Sequence, residues 1–286
     1  MFLNRKEEQM KRSKKTAYLN TAIGVISSVV VAVMSSTASA EDRSTASAED
    51  RPTARAGDRL PTYDELRAGL QTVVGSSVNG GAGLNFWGVV VDRDGIVRAV
   101  AFSGRERNAQ LPIGRIVTTL KASTANNLSL NNFLVSTPQL SQAVLANGVF
   151  QNLPDAYPIN PVAFRGPPTL FGTPRDPMVG HAIGGATSLG GGLALYNDKR
   201  EIIGSLGIGG EVHPCADHNA AWILRHRLGL DNLPAGIGFS PTGDDNIIYD
   251  LDSRGVSASG FGTAECTPEA SAISRSLPVK YPVRRR

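Results

Sequence analysis

All four histidines fall in the second half of the chain, at His181, His213, His218 and His226. His213, Cys215 and His218 form an H-x-C-x-x-H cluster, and imidazole nitrogen with thiolate sulfur is a donor set suited to zinc, copper or haem iron. The same spacing has a second reading, a disulfide cysteine flanked by two polar loop residues, with His218 in the exposed first turn of a helix. His181 stands in Met178-Val179-Gly180-His181-Ala182-Ile183-Gly184-Gly185, where small neighbours leave room for a flat ligand to approach the imidazole. Its alternative is an ordinary loop histidine. His226, between Arg225 and Arg227, reads as a solvated surface residue on a helix.

Other catalytic patterns are missing. The chain has no G-x-S-x-G nucleophile elbow, no H-E-x-x-H, no P-loop and no G-x-G-x-x-G between a strand and a helix. Gly190-Gly191-Gly192 precedes a strand, so it does not build a phosphate cradle at a helix start.

The elements that must position the histidines follow from periodicity. Thr62 and Glu65 make a capping box, and Leu66, Leu70, Val73 and Val74 continue it with helical spacing. Two apolar runs, Phe86 to Val91 and Ile96 to Phe102, flank the turn Asp92-Arg93-Asp94-Gly95 and predict a hairpin. Pro112 suits the first turn of a helix whose Ile113, Ile116, Val117 and Leu120 share an apolar face. Thr137-Pro138 starts another, ending at Asn147-Gly148. From Val149 to Ser188 seven prolines and five glycines predict a long irregular loop, of the kind that is usually functional or mobile. A second hairpin runs from Leu189 to Tyr196 and Glu201 to Ile208, and Asp217 caps a last helix closed by Gly229. Two hairpins favour an antiparallel sheet covered by helices, an α+β fold. Thr263 to Ser276 is expected to pack back through Cys266.

The whole chain of 286 residues carries 29 basic and 25 acidic side chains, and residues 1–40 hold six of the bases and two of the acids. The remainder, with 23 of each, is neutral and lacks the global basic charge of a nucleic-acid binder. Residues 1–40 read as an export signal: a basic start, an apolar stretch from Ile23 to Met34, then Ala38-Ser39-Ala40 for cleavage. A membrane anchor over Ala17 to Met34 is the alternative, and no later segment is apolar enough to cross a bilayer. Residues 41–60, which complete the tandem repeat Ser-Thr-Ala-Ser-Ala-Glu-Asp-Arg, form a linker. A single domain then spans 61–276, with a C-terminal extension, and 277–286 is a basic tail. Export to the periplasm or the medium makes Cys215 and Cys266 most simply a disulfide, with free or metal-bound thiols as the alternative.

Val89-Val90-Val91-Asp92-Arg93-Asp94-Gly95, Gly190-Gly191-Gly192-Leu193-Ala194-Leu195 and Ile202-Ile203-Gly204-Ser205-Leu206-Gly207-Ile208-Gly209-Gly210 together resemble the motifs of the GlcG/HbpS family of haem-binding proteins. Lys121-Ala122-Ser123-Thr124 sits where that family has a Lys-Ala helix. The resemblance covers Leu84 to Leu230 in pieces. It implies a profilin-like antiparallel sheet flanked by helices, haem or a related tetrapyrrole as ligand, and a homo-oligomer. The family continues with an acidic stretch after its Gly-Gly, where this chain has Glu211-Val212-His213-Pro214-Cys215-Ala216-Asp217-His218.

The resulting expectation is an exported haem-binding protein engaged in haem or redox sensing or handling. His181 or the His213/His218 pair supplies the iron ligand, and Arg165 and Arg175 pair with the propionates. The other readings are a metal- or haem-dependent enzyme built on His213, Cys215 and His218, and an interaction module without a cofactor.

Overall fold

The computed structural model describes residues 57–76, 79–153, 157–211 and 214–285. The expected export signal, most of the expected linker and His213 lie outside the described residues.

Helix α1, Tyr63–Gly75, opens on the capping box: the Glu65 N–H donates to Thr62 Oγ1 at 3.3 Å, and the Thr62 N–H donates to the Glu65 carboxylate at 2.8 Å. Arg59 closes on the same carboxylate at 2.8 Å, and this hydrogen bond lowers the Glu65 pKa to about 2. Leu66, Leu70 and Val73 form its buried stripe.

Strands β1, Trp87–Asp92, and β2, Val97–Phe102, make the first hairpin, and β3, Gly192–Tyr196, and β4, Ile202–Gly209, make the second. They join through β1 and β4 into one antiparallel sheet of order β2-β1-β4-β3. Side chains alternate across it. Val90, Leu193, Leu195, Leu206 and Ile208 face the cluster built with α1 and with helix α3, Pro214–Arg227. Trp87, Val89 and Val91 face the other side, where helix α2, Gly114–Asn127, and the long loop pack. Helices on both faces of an antiparallel sheet give the α+β, profilin-like architecture that the resemblance implies.

Helix α2 departs from its expected face. Ile113 is 54% exposed, while Arg115, Thr118, Thr119, Lys121, Ala122 and Ser123 are buried. The reason lies in the sheet. A β-carbon on Gly207 would stand 2.1 Å from the Thr118 carbonyl oxygen, so α2 lies almost on the backbone of β4, too close for large apolar side chains. Small and hydroxylic residues fill that contact, with Ser205 Oγ donating to the Ala122 carbonyl at 2.5 Å. The helix expected from Thr137 to Asn147 also shrinks, to a 3-10 turn at Thr137–Gln139 and one α turn at Leu140–Ala143.

Helix α3 begins at Pro214, three residues before the expected cap, and Asp217 is instead buried in it and paired with Lys121. A fourth helix, α4, Pro268–Lys280, is capped by Thr267 and buries Leu277 completely. It packs on α3 beside a disulfide between Cys215 and Cys266, with their Cα atoms 6.2 Å apart. The chain continues to Arg284 and Arg285, which pair with buried Asp231 and Asp244. Among the described residues, no helix is long and apolar enough to cross a membrane.

Candidate functional site

Three buried ion pairs set the positions of the functional segments. Each takes a cation from a helix and a carboxylate distant in sequence: Arg115 with Asp176, Lys121 with Asp217, and Arg225 with Asp245. Buried charges are retained where partner and hydrogen bonds compensate the lost hydration. The Asp176 carboxylate also accepts from the Gly172 and Met178 N–H groups, at 2.8 and 2.9 Å, so it anchors the Pro-rich loop on α2. The Arg115 guanidinium stacks over the Phe171 ring at 4.0 Å, and the Tyr63 hydroxyl donates to the Gly172 carbonyl at 3.0 Å. Gly172 adopts φ +71°, and a β-carbon there would stand 2.9 Å from the Trp87 ring, so glycine alone lets the loop close on the indole.

The result is a cleft of about 370 Å³ between α1, the open end of the first hairpin and residues 168–173. Its apolar lining is Trp87, Phe102 and Phe171, with Trp87 and Phe102 stacked at 4.6 Å between centroids and 25° between planes. Its rim carries Arg67, Arg105 and Arg107, with one carboxylate, Glu106, between the last two. None of these three guanidinium groups forms an ion pair or hydrogen bond with another described residue. The indole N–H of Trp87, a residue only 4% exposed, is likewise unpartnered among the described residues. An apolar cleft with three unpaired cations and one carboxylate on its rim suits an apolar ring that carries carboxylates.

The histidines are placed elsewhere. His181 is exposed, and its carbonyl accepts from the Val97 N–H at 3.0 Å, at the turn end of the first hairpin. The cleft is at the other end of β2, past Phe102, five residues away, or about 16 Å at the usual rise of a strand. Arg165 and Arg175 are exposed on the Pro-rich loop and do not line the cleft. Asn160 donates to the Ala182 carbonyl at 2.9 Å, which brings the segment leading to Arg165 beside the His181 turn.

His218 does not lie in an exposed first turn. It is fully buried in α3, on the sheet face opposite Trp87, with Nε2 3.3 Å from Asn246 Oδ1. Asn246 donates its own amide to the Ser274 carbonyl, so its Oδ1 is the acceptor and the imidazole carries its proton on Nε2. Nδ1 is then a bare, buried lone pair without a partner among the described residues. Burial, aided by the Arg225 charge, lowers the His218 pKa to about 3, so the ring is neutral. His226 is not a free surface residue either: its Nδ1 is 2.7 Å from Asp231.

Cys215 is in a disulfide, and a disulfide sulfur is not the thiolate that metals bind. Among the described residues, no group of three or more His, Cys, Asp and Glu side chains is placed to hold a metal ion. The H-x-C-x-x-H cluster therefore lacks its sulfur donor.

For haem, the cleft fits in part. It offers a stacking floor and cations for the carboxylates, but no imidazole or thiolate lines it, and the lining phenol, that of Tyr63, is engaged with Gly172. Sequence reasoning missed this cleft. Its one signal was Gly104-Arg105-Glu106-Arg107 directly after an aromatic strand end, which as a charge run is ordinarily solvated surface.

No protein-family model matches the chain, and no curated protein matches it. Among solved structures it is similar to PduOC, described in a complex with heme, with 19% identity over 58% of this chain and 93% of that one and a TM-score of 0.38. It is also similar to the Klebsiella pneumoniae protein ORFY, of the DUF336 family, with 15% identity over 62% of this chain and 96% of that one and a TM-score of 0.39.

Proposed function

We propose that this protein binds a tetrapyrrole of the haem class, with the ring seated on Trp87, Phe102 and Phe171 and its carboxylates held by Arg67, Arg105 and Arg107. The observation that carries the reading is the pairing of a stacked aromatic floor with three guanidinium groups that have no partner among the described residues. Guanidinium–carboxylate pairs are short, directional and strong when partly shielded from water. The disulfide supports a protein that folds in an oxidising compartment, in keeping with export.

The test is a haemin titration of the full-length protein, followed by the visible spectrum and by quenching of the emission of its two tryptophans. Saturable binding that weakens in the Arg67→Ala/Arg105→Ala/Arg107→Ala protein is the expected result. Absence of saturable binding refutes the proposal.

A second reading places the ligand at the exposed loop, with His181 on iron and Arg165 and Arg175 at the propionates. It is favoured by the Asn160 contact, which brings the segment leading to exposed Arg165 beside the turn that carries exposed His181. His213 and His218 are the remaining proposed iron donors, the latter only if α3 opens. In this reading His181→Ala changes the haemin spectrum and the triple arginine variant does not.

A further inference from the structure

We infer that the aromatic cleft recognises its ligand independently of any metal, through ring stacking and carboxylate pairing alone, so that a metal-free dicarboxylic porphyrin is as good a ligand as haemin. The inference rests on the tetrapyrrole reading above and deepens it.

The donor set is the first ground. Iron in haem takes imidazole, thiolate, thioether or phenolate from a protein, and the cleft lining offers only the Tyr63 hydroxyl, which donates to the Gly172 carbonyl at 3.0 Å. Freeing it would break the tether between α1 and the loop. His181 is anchored at the far end of β2, and His218 is enclosed on the opposite face of the sheet. The rim is the second ground. Arg67 comes from α1, Arg105 and Arg107 come from the segment after β2, and none is paired with another described residue. Three cations from two elements outnumber the one carboxylate of the rim, Glu106, and leave net positive charge beside the aromatic lining for an anionic ring.

The experiment titrates the full-length protein with three probes: haemin, protoporphyrin IX, and the dimethyl ester of protoporphyrin IX. Tryptophan quenching is read together with the porphyrin absorption band. The expected result is a Kd for protoporphyrin IX within about threefold of that for haemin, and a loss of roughly tenfold or more for the ester. The triple arginine variant should bind acid and ester alike, and these exposed or half-exposed positions do not endanger folding. If haemin binds and protoporphyrin IX does not, an iron donor is required: the inference falls and the tetrapyrrole reading stands. If the ester binds as tightly as the acid, the carboxylate role falls. If no probe binds, the reading itself falls.

Discussion

Lys121 Nζ on α2 lies 2.5 Å from Asp217 Oδ2 on α3, although 96 residues separate them and the sheet lies between the two helices. The ammonium also donates to the Ile208 carbonyl at the end of β4, at 3.1 Å. Both side chains are buried, and burial raises the Asp217 pKa to about 6 despite the lysine beside it. The pair thus ties both faces of the sheet together past the glycine-rich ends of β3 and β4. Removing one partner leaves an uncompensated buried charge. Lys121→Met should therefore destabilise by about 3–5 kcal/mol, and Lys121→Met/Asp217→Leu by clearly less, in urea unfolding followed by circular dichroism. A double-variant loss equal to the sum of the Lys121→Met and Asp217→Leu losses would show that the pair is not coupled.

His218 makes stability depend on pH. Its folded pKa, about 3, lies below the ordinary value of 6.5, so between these limits the unfolded chain binds the proton that the folded chain refuses. The contribution of the neutral imidazole is therefore complete above pH 6.5 and is lost progressively as the pH falls. Asp217, with a raised pKa, acts in the opposite sense between its ordinary value of 3.8 and about 6, so the comparison must be made against a variant that keeps it. From pH 7.5 to 4.5, the native protein should lose roughly 2 kcal/mol more stability than His218→Leu, read from urea midpoints. A variant with the same acid sensitivity would contradict this account.

The bond between Cys215 and Cys266 closes a loop across a sequence separation of 51 and secures the segment beyond α3. In the chain-entropy model such a loop stabilises by about 4 kcal/mol. Cys215→Ser/Cys266→Ser should lower the thermal midpoint by an amount that matches the effect of reductant on the native protein. Reductant should then have no further effect on the variant.

Gly207 lets α2 rest on β4. Gly207→Ala forces a methyl against the Thr118 carbonyl and should cost roughly 3 kcal/mol, through displacement of the helix. Gly95→Ala is a different case, strained by its φ of +77° but with no atom within 4 Å of the added carbon. It should cost less. Thermal unfolding of the two variants side by side separates a packing requirement from a backbone requirement.

The hairpins, the α+β class and the capped start of α1 were legible in the sequence, because alternation, turn residues and capping pairs act over a few residues and need no distant partner. Cys215 and Cys266 were paired by the same economy, as the two cysteines of a chain read as exported. The buried face of α2 was not legible. Its apolar residues point partly outward because the glycines of β3 and β4 leave space only for small and hydroxylic groups, and because Arg115 and Lys121 meet carboxylates 61 and 96 residues away. His218 was equally illegible, since Asn246 and Ser274, which shape its surroundings, belong to segments that only the folded chain brings near. The aromatic cleft needed α1, the end of a hairpin and a proline-rich loop to converge. The residue order determined which side chains could stack or carry charge. Which of them face one another was decided only by tertiary packing, because contacts across the sheet depend on the closure of long loops and not on spacing along the chain.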